Sequence, residues 1–238
     1  MDPQEEMTAA YVGIGNELLS GSVEDTNFIY LARALRELGI RLMCGILIPD
    51  EQEIIRETIA LYRERFTYLF TSGGLGPTHD DVTIEGVASA LGVPVVRHPL
   101  LERKIREFYG DRLREASLKM AEVPEGAALH ILDELSFPVL SAANIYLFPG
   151  VPELFREKFE AIKEQFRTRP YYTEEILTQR RETDIADLLS EALMRFRSIK
   201  IGSYPRWDEE GYRVKIVVES KERESAASAS AHLRKLLK

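Results

Sequence analysis

The chain is poor in the features from which several protein classes are built. Its 238 residues contain one cysteine, Cys44, so an internal disulfide framework and a cysteine-rich zinc site are excluded. The longest apolar runs, such as residues 43–48, fall far below the ~20 residues that a membrane-spanning helix needs. The acidic start Met-Asp-Pro-Gln-Glu-Glu has neither the basic nor the apolar region of a signal peptide, so a soluble, cytoplasmic protein without membrane partners is expected. Positive charge is in the minority. With 31 Lys+Arg against 39 Asp+Glu the net charge is −8, which argues against a general nucleic-acid binder, because phosphate affinity comes from clustered Lys and Arg. The four histidines, His79, His98, His130 and His232, show no metal-ligand spacing.

Glycine is also scarce, but only late in the chain. Thirteen of the 15 glycines precede residue 151, and only Gly202 and Gly211 follow. Glycine-rich turns belong where backbone approaches a ligand, so chemistry is expected in the first part. Apolar runs there alternate with helical patterns. Residues 9–15, 41–48, 68–72 and 145–148 read as buried strands. Phe28, Leu31, Ala32, Leu35 and Leu38 recur at helical spacing, as do Ile54, Ile55, Thr58, Ile59 and Tyr62. A further helix spans about 83–91 before Gly92, and another carries Leu154, Phe155, Phe159, Ile162 and Phe166 on one face. Such alternation implies a three-layer α/β/α domain with a mostly parallel sheet, and ligands beyond the carboxyl ends of its strands. After a linker at 166–170, the tail reads as β-α-β-β-α, a small α+β layer. Its helical stripe is Ile185, Leu188, Leu189, Ala192, Leu193 and Phe196. The expected domains are therefore 1–170 and 171–238.

The strongest motif is Thr71-Ser-Gly-Gly-Leu-Gly-Pro-Thr-His-Asp-Asp-Val-Thr83. Three glycines in four residues, Gly73, Gly74 and Gly76, bare the backbone, so N–H groups can converge on an anion beside a helix start. No Gly-Lys-Ser/Thr follows, so this is not a Walker loop, and the G-G-x-G spacing is not a Rossmann fingerprint. Asp80 and Asp81 instead offer oxygen ligands to a hard divalent cation, or one of them caps the helix at Thr83. Gly13-Ile-Gly-Asn-Glu-Leu-Leu-Ser-Gly21 ends the first strand. It is either a plain turn or a place where Asn16 and Glu17 bind a base, ribose or pterin edge, with Asn27 reaching the same crevice. Asp50 ends the second strand. It either caps the next helix or, if that strand neighbours the third, shares a cation with Asp81. Phe148-Pro-Gly-Val-Pro-Glu153 is a helix entry at the same edge and a candidate binding loop. Lys119 is a solvated lysine or a phosphate contact, and His79 a loop residue or a proton shuttle. A Ser72–His79–Asp triad has no G-x-S-x-G elbow to support it. Cys44 reads as an inert core residue.

Together, Gly-Asn-Glu-Leu-Leu-Ser-Gly with Thr-Asn27, Pro-Asp50, Ser-Gly-Gly-Leu-Gly-Pro-Thr-His-Asp-Asp-Val-Thr83 and Phe-Pro-Gly-Val-Pro-Glu153 resemble the CinA-type molybdopterin-binding-like domain of competence/damage-inducible proteins. The stretch 137–152 and the tail, with Gly202-Ser-Tyr-Pro205, Trp207 and Tyr212-Arg-Val-Lys215, look closer to the FAD-synthase branch, whose small KH-like domain follows. The resemblance implies a metal-dependent pyrophosphatase acting on a nucleotide such as FAD or ADP-ribose. A non-hydrolytic molybdopterin- or nucleotide-binding protein is the alternative. It implies Asp50, Asp80, Asp81 and Lys119 as catalytic residues, with the three aspartates holding Mg, Mn or Co, and a monovalent cation as a further cofactor. It implies Gly15, Asn16, Glu17, Asn27, Ser72, Gly73, Gly74, Gly76, Thr78, Pro149 and Gly150 as ligand contacts. A homo-oligomer is expected, and neither an FAD-synthesising nor an amidase domain within these 238 residues. RNA binding by the tail finds little support, since the tail lacks a G-x-x-G clamp.

Overall fold

The computed structural model describes residues 6–132, 135–206 and 211–237; Trp207 lies outside them. In chain order the elements are β1 (Thr8–Ile14), α1 (Asn16–Leu19), α2 (Thr26–Glu37), β2 (Arg41–Ile48), α3 (Gln52–Arg63), β3 (Tyr68–Ser72), α4 (Thr83–Leu91), β4 (Val95–Arg97), α5 (Pro99–Tyr109), β5 (Glu122–Pro124), β6 (Ala128–His130), β7 (Val139–Ala142), β8 (Ile145–Phe148), α6 (Pro152–Ile162), β9 (Tyr172–Thr178), α7 (Glu182–Arg195), β10 (Ile199–Pro205), β11 (Val214–Ser220) and α8 (Arg223–Leu236). They divide into two units, Met1–Thr168 and Arg169–Lys238.

The first unit is a three-layer α/β/α structure around a six-stranded sheet of order β2-β1-β3-β8-β7-β6. The first four strands in that order run parallel, and β7 and β6 add an antiparallel end. Side chains alternate across a strand, and the burial follows that period. Tyr11, Phe70 and Phe148 join Leu31, Leu35, Phe155, Phe159 and Phe166 in a core under α2 and α6. Val12, Leu69 and Leu147 face the other way, onto Ile55, Ile59 and Val87 of α3 and α4. Each fully buried phenylalanine contributes about 2 kcal/mol of transfer free energy. Cys44 is half-buried against this second core, and burial pushes its thiol pKa up.

Three expectations need correction. Leu154 is exposed and off the buried face of α6, because the apolar stripe continues through Phe155, Phe159 and Ile162 into a 3-10 turn ending at Phe166. Phe166 is thus core rather than linker. Leu193 is likewise exposed, while Ile185 and Ala192 carry the inward face of α7. In the second unit, β10, β11 and β9 form an antiparallel sheet covered by α7 and α8 in the expected β-α-β-β-α order.

Candidate functional site

The loop after β3 lies at the carboxyl end of the parallel strands, where open α/β sheets bind ligands. Gly73 is required there. Its φ is +111°, and a Cβ would stand 2.1 Å from the Ile14 carbonyl oxygen of the neighbouring strand. Its N–H donates to the Phe148 carbonyl at 3.0 Å, so this group is spent on joining β3 to β8. The Thr83 hydroxyl donates to the Gly73 carbonyl at 2.9 Å, and the Thr83 N–H to the Gly74 carbonyl at 3.2 Å. The loop is thereby closed onto the first turn of α4. The N–H groups of Gly74, Leu75 and Gly76 donate to no acceptor among the described residues. They remain for an anion.

The two aspartates that follow do not cap α4. Its N-cap is Val82, with no side-chain hydrogen bond. Asp81 Oδ2 instead accepts the Thr78 N–H at 2.8 Å and the Thr78 hydroxyl. Asp80 is exposed, and hydrogen bonding from Thr78, then from its own backbone, holds its carboxyl below the usual range. Lys119, on the turn before β5, donates to the Thr78 carbonyl at 3.0 Å and pairs with Glu85 at 3.5 Å. Gly74, Gly76, Asp81, Glu85 and Lys119 line one cleft. The His79 side chain is fully exposed, with Asp80 at 3.9 Å its close charge. Nothing positions it as a shuttle.

Asp50 belongs elsewhere. The strand order places β1 between β2 and β3, so the ends of β2 and β3 are separated by about 10 Å of ordinary strand spacing. Asp50 does not join Asp81, nor does it cap α3, whose N-cap is Glu51. Its Oδ2 accepts the Asn16 N–H at 2.9 Å and fastens the turn after β1. Among the described residues no three His, Cys, Asp or Glu side chains converge on one point, so the expected Asp50–Asp80–Asp81 set is not assembled.

Gly15, Asn16 and Glu17 form the turn into α1, and Glu17 lines a second cleft with Asn27, Ser72 and Gly150. Asn27 is buried and ties three segments together. Its Nδ2 donates to Ser72 Oγ at 3.0 Å and to the Gly150 carbonyl at 2.8 Å. Ser72 in turn donates to the Pro149 carbonyl at 3.4 Å. Of the predicted ligand residues, Gly74 and Gly76 line the first cleft and Glu17, Asn27, Ser72 and Gly150 the second, while Gly15, Asn16, Gly73, Thr78 and Pro149 line neither.

Asp25 and Glu85, which line these clefts, and Tyr11, whose hydroxyl donates to Asp25, have no role in the expectations from sequence. The signal for Asp25 was its place just before the α2 pattern, a cap position. Tyr11 sits in a buried strand, where no sequence signal separates it from core. Glu85 stands in the first turn of α4, and its Oε2 is buried without a hydrogen-bond partner. That orphaned oxygen beside Asp81 is what a divalent ion would satisfy. Asp81 and Glu85 are hard oxygen donors lining one cleft, whereas Asp80 is exposed and does not line it, and Mg-type ions are commonly held by one or two carboxylates plus phosphate oxygens of the substrate. The residues fit such an ion.

Residues 10–168 match the family model described as a probable molybdopterin binding domain, and residues 170–238 match that of the FAD synthase middle domain. A protein of Archaeoglobus fulgidus is 33% identical over 197 residues, covering 82% of this chain and 84% of its own length. A probable FAD synthase of Caenorhabditis briggsae is 28% identical over 265 residues, which is 100% of this chain and 51% of that protein. The chain therefore spans about half the length of that relative. Among solved structures, the protein CinA of unknown function from Thermoplasma acidophilum is similar, with a TM-score of 0.62 and 27% identity over 68% of this chain and 99% of that one. No helix among the described residues is long and apolar enough to cross a membrane.

Proposed function

The chain belongs to the probable molybdopterin binding domain family, with an FAD synthase middle domain behind it, and on that premise we propose that it hydrolyses the pyrophosphate bond of a nucleotide such as FAD or ADP-ribose into two monophosphates. The coarser statement, a nucleotide-related activity, follows from the FAD synthase-like relatives. The finer one is supported by a single juxtaposition: unspent N–H groups at Gly74–Gly76 in one cleft with Asp81, Glu85 and Lys119.

The glycine loop holds the pyrophosphate oxygens with backbone donors, which are rigid because Thr83 and Phe148 anchor the loop. Asp81 and Glu85 would hold a Mg, Mn or Co ion together with substrate phosphate oxygens, and the ion would supply Lewis-acid stabilisation of those oxygens and an activated water. Water adds to one phosphorus, a carboxylate of the aspartate pair takes its proton, and the bridging P–O bond breaks. Lys119 lies on the same side to offset charge on the departing phosphate. Asn16 and Glu17 orient the nucleoside, with Asp50 holding their turn.

Incubating the purified chain with FAD and with ADP-ribose, each with Mg²⁺, Mn²⁺ or Co²⁺, is expected to release AMP together with FMN or ribose 5-phosphate. Asp81→Ala is expected to lower turnover by at least 100-fold. Absence of product with every metal, or unchanged turnover in the variant, overturns the proposal. One observation favours the non-hydrolytic alternative, a nucleotide- or pterin-binding protein: Asp50 does not complete a three-carboxylate set with the aspartate pair. Tight ligand binding without product under any metal would decide for it.

A further inference from the structure

One cation stands among the carboxylates of the first cleft. Asp81, Glu85, Glu122 and Lys119 line it, and Lys119 is the single basic residue among the lining residues. Glu122 has a partner of its own, Arg97, at 4.0 Å. Lys119 Nζ donates to the Thr78 carbonyl at 3.0 Å and stands 3.5 Å from Glu85 Oε1. Thr78 is also the residue to which Asp81 is bonded, so the ammonium is fastened between the end of the glycine loop and α4. The side chains of Lys119 and Glu85 are 25% and 27% exposed. This pair is therefore withdrawn from much of the solvent that weakens ion pairs at a protein surface.

A divalent ion taken up by Glu85 Oε1 at about 2.1 Å would lie within about 6 Å of Nζ. A double and a single positive charge at that distance repel by enough to weaken ion binding roughly 10-fold even at the dielectric constant of water, and by more in a partly buried cleft. Phosphate offsets the repulsion, because an ammonium on a flexible four-carbon stem can turn from Glu85 to phosphate oxygens. We propose that Lys119 is the resident counter-ion of this cleft, holding the divalent ion's place on Glu85 until a pyrophosphate arrives to receive the ammonium. The site then takes metal and phosphate together rather than metal alone. This inference rests on the metal-dependent nucleotide reading and gives the order in which that site fills.

Manganese titrations of the full chain without nucleotide, followed by electron paramagnetic resonance, test the first half. Lys119→Met, of similar length but uncharged, is expected to bind Mn²⁺ roughly 10-fold tighter than the unmodified chain. Lys119→Arg, which keeps the charge, should bind it about as weakly as the unmodified chain, and Glu85→Gln added to Lys119→Met should cancel the gain. Calorimetry in EDTA with α,β-methylene-ADP, a nucleotide whose P–C–P bridge is not hydrolysed, tests the second half. Lys119→Met should bind that analogue roughly 10-fold more weakly, having lost a charge-assisted phosphate contact. A lysine that merely braced the cleft would lower both affinities when removed, whereas a counter-ion gives shifts of opposite sign. Mn²⁺ binding unchanged or weaker in Lys119→Met, no Mn²⁺ binding by either chain, equal tightening in Lys119→Arg, or unweakened binding of the analogue overturns the proposal. Neither measurement needs turnover. Opposite shifts with no product from FAD or ADP-ribose would sink only the hydrolytic reading, and turnover without those shifts only this one.

Discussion

Asp81 accepts both the backbone N–H and the side-chain hydroxyl of Thr78 through a single oxygen, Oδ2. This closes residues 78–81 into a turn that leaves Oδ1 outside the pair of bonds. Thr78→Val keeps the N–H and removes the hydroxyl. Under the proposed hydrolysis it should cut kcat/KM about 10-fold and raise the metal concentration needed for half-maximal rate. Steady-state assays over a Mn²⁺ titration measure both, with Thr78→Ser expected to recover most of the loss.

Asp50 serves the turn after β1 through the Asn16 N–H, an exposed hydrogen bond worth about 1 kcal/mol at most. Asp50→Ala should lower unfolding stability by roughly that amount, and Asp50→Asn, which keeps an acceptor, by less. Urea denaturation of the two variants checks the order. The metal requirement of turnover should be the same in Asp50→Asn as in the unmodified chain.

Gly73 and Gly21 both adopt positive φ, yet they differ in surroundings. A Cβ at Gly73 meets the Ile14 carbonyl at 2.1 Å, whereas at Gly21 it meets nothing within 4 Å. Gly73→Ala should cost about 3 kcal/mol or more, through combined backbone strain and collision. Gly21→Ala should cost about 1 kcal/mol, from strain alone. Thermal melts separate the two, and nucleotide binding should be lost only in Gly73→Ala.

Lys158 donates to the Phe137 and Pro138 carbonyls at 2.7 and 2.8 Å, and burial lowers its pKa to about 8, with the Glu157 charge a weaker opposing influence. The folded chain therefore releases this proton near pH 8, while the unfolded chain holds it to about 10.5. In that window the unfolded state binds more protons, so stability rises with pH, by about 2 kcal/mol between pH 8 and 10. Above pH 10 the direction reverses, because burial raises the pKa of Tyr11 and Tyr30, and the unfolded chain ionises them first. Urea midpoints from pH 7 to 10 should climb for the unmodified chain and stay flatter in Lys158→Met.

What the sequence determined by itself was local. Strands β2 and β3 and helix α4 have the limits expected from apolar runs and from Gly92. The glycine-rich loop sits where strand meets helix, because hydrophobic period and turn chemistry are encoded within a few residues. Residues 93–144 were less legible. β4 to β7 are three or four residues long, too short to show a period. Helix α5 did carry a signal, with Pro99 in its first turn and Leu101 and Ile105 four apart.

Tertiary structure alone decided which strand ends are neighbours. Parallel strands joined by crossovers can be ordered in several ways that leave every local pattern unchanged. The order adopted inserts β1 between β2 and β3. That choice takes Asp50 from the aspartate pair and gives it to Asn16. It also brings Asn27 of α2 to Ser72 and Gly150, so residues that read in sequence as one site are split, some lining one cleft and some another.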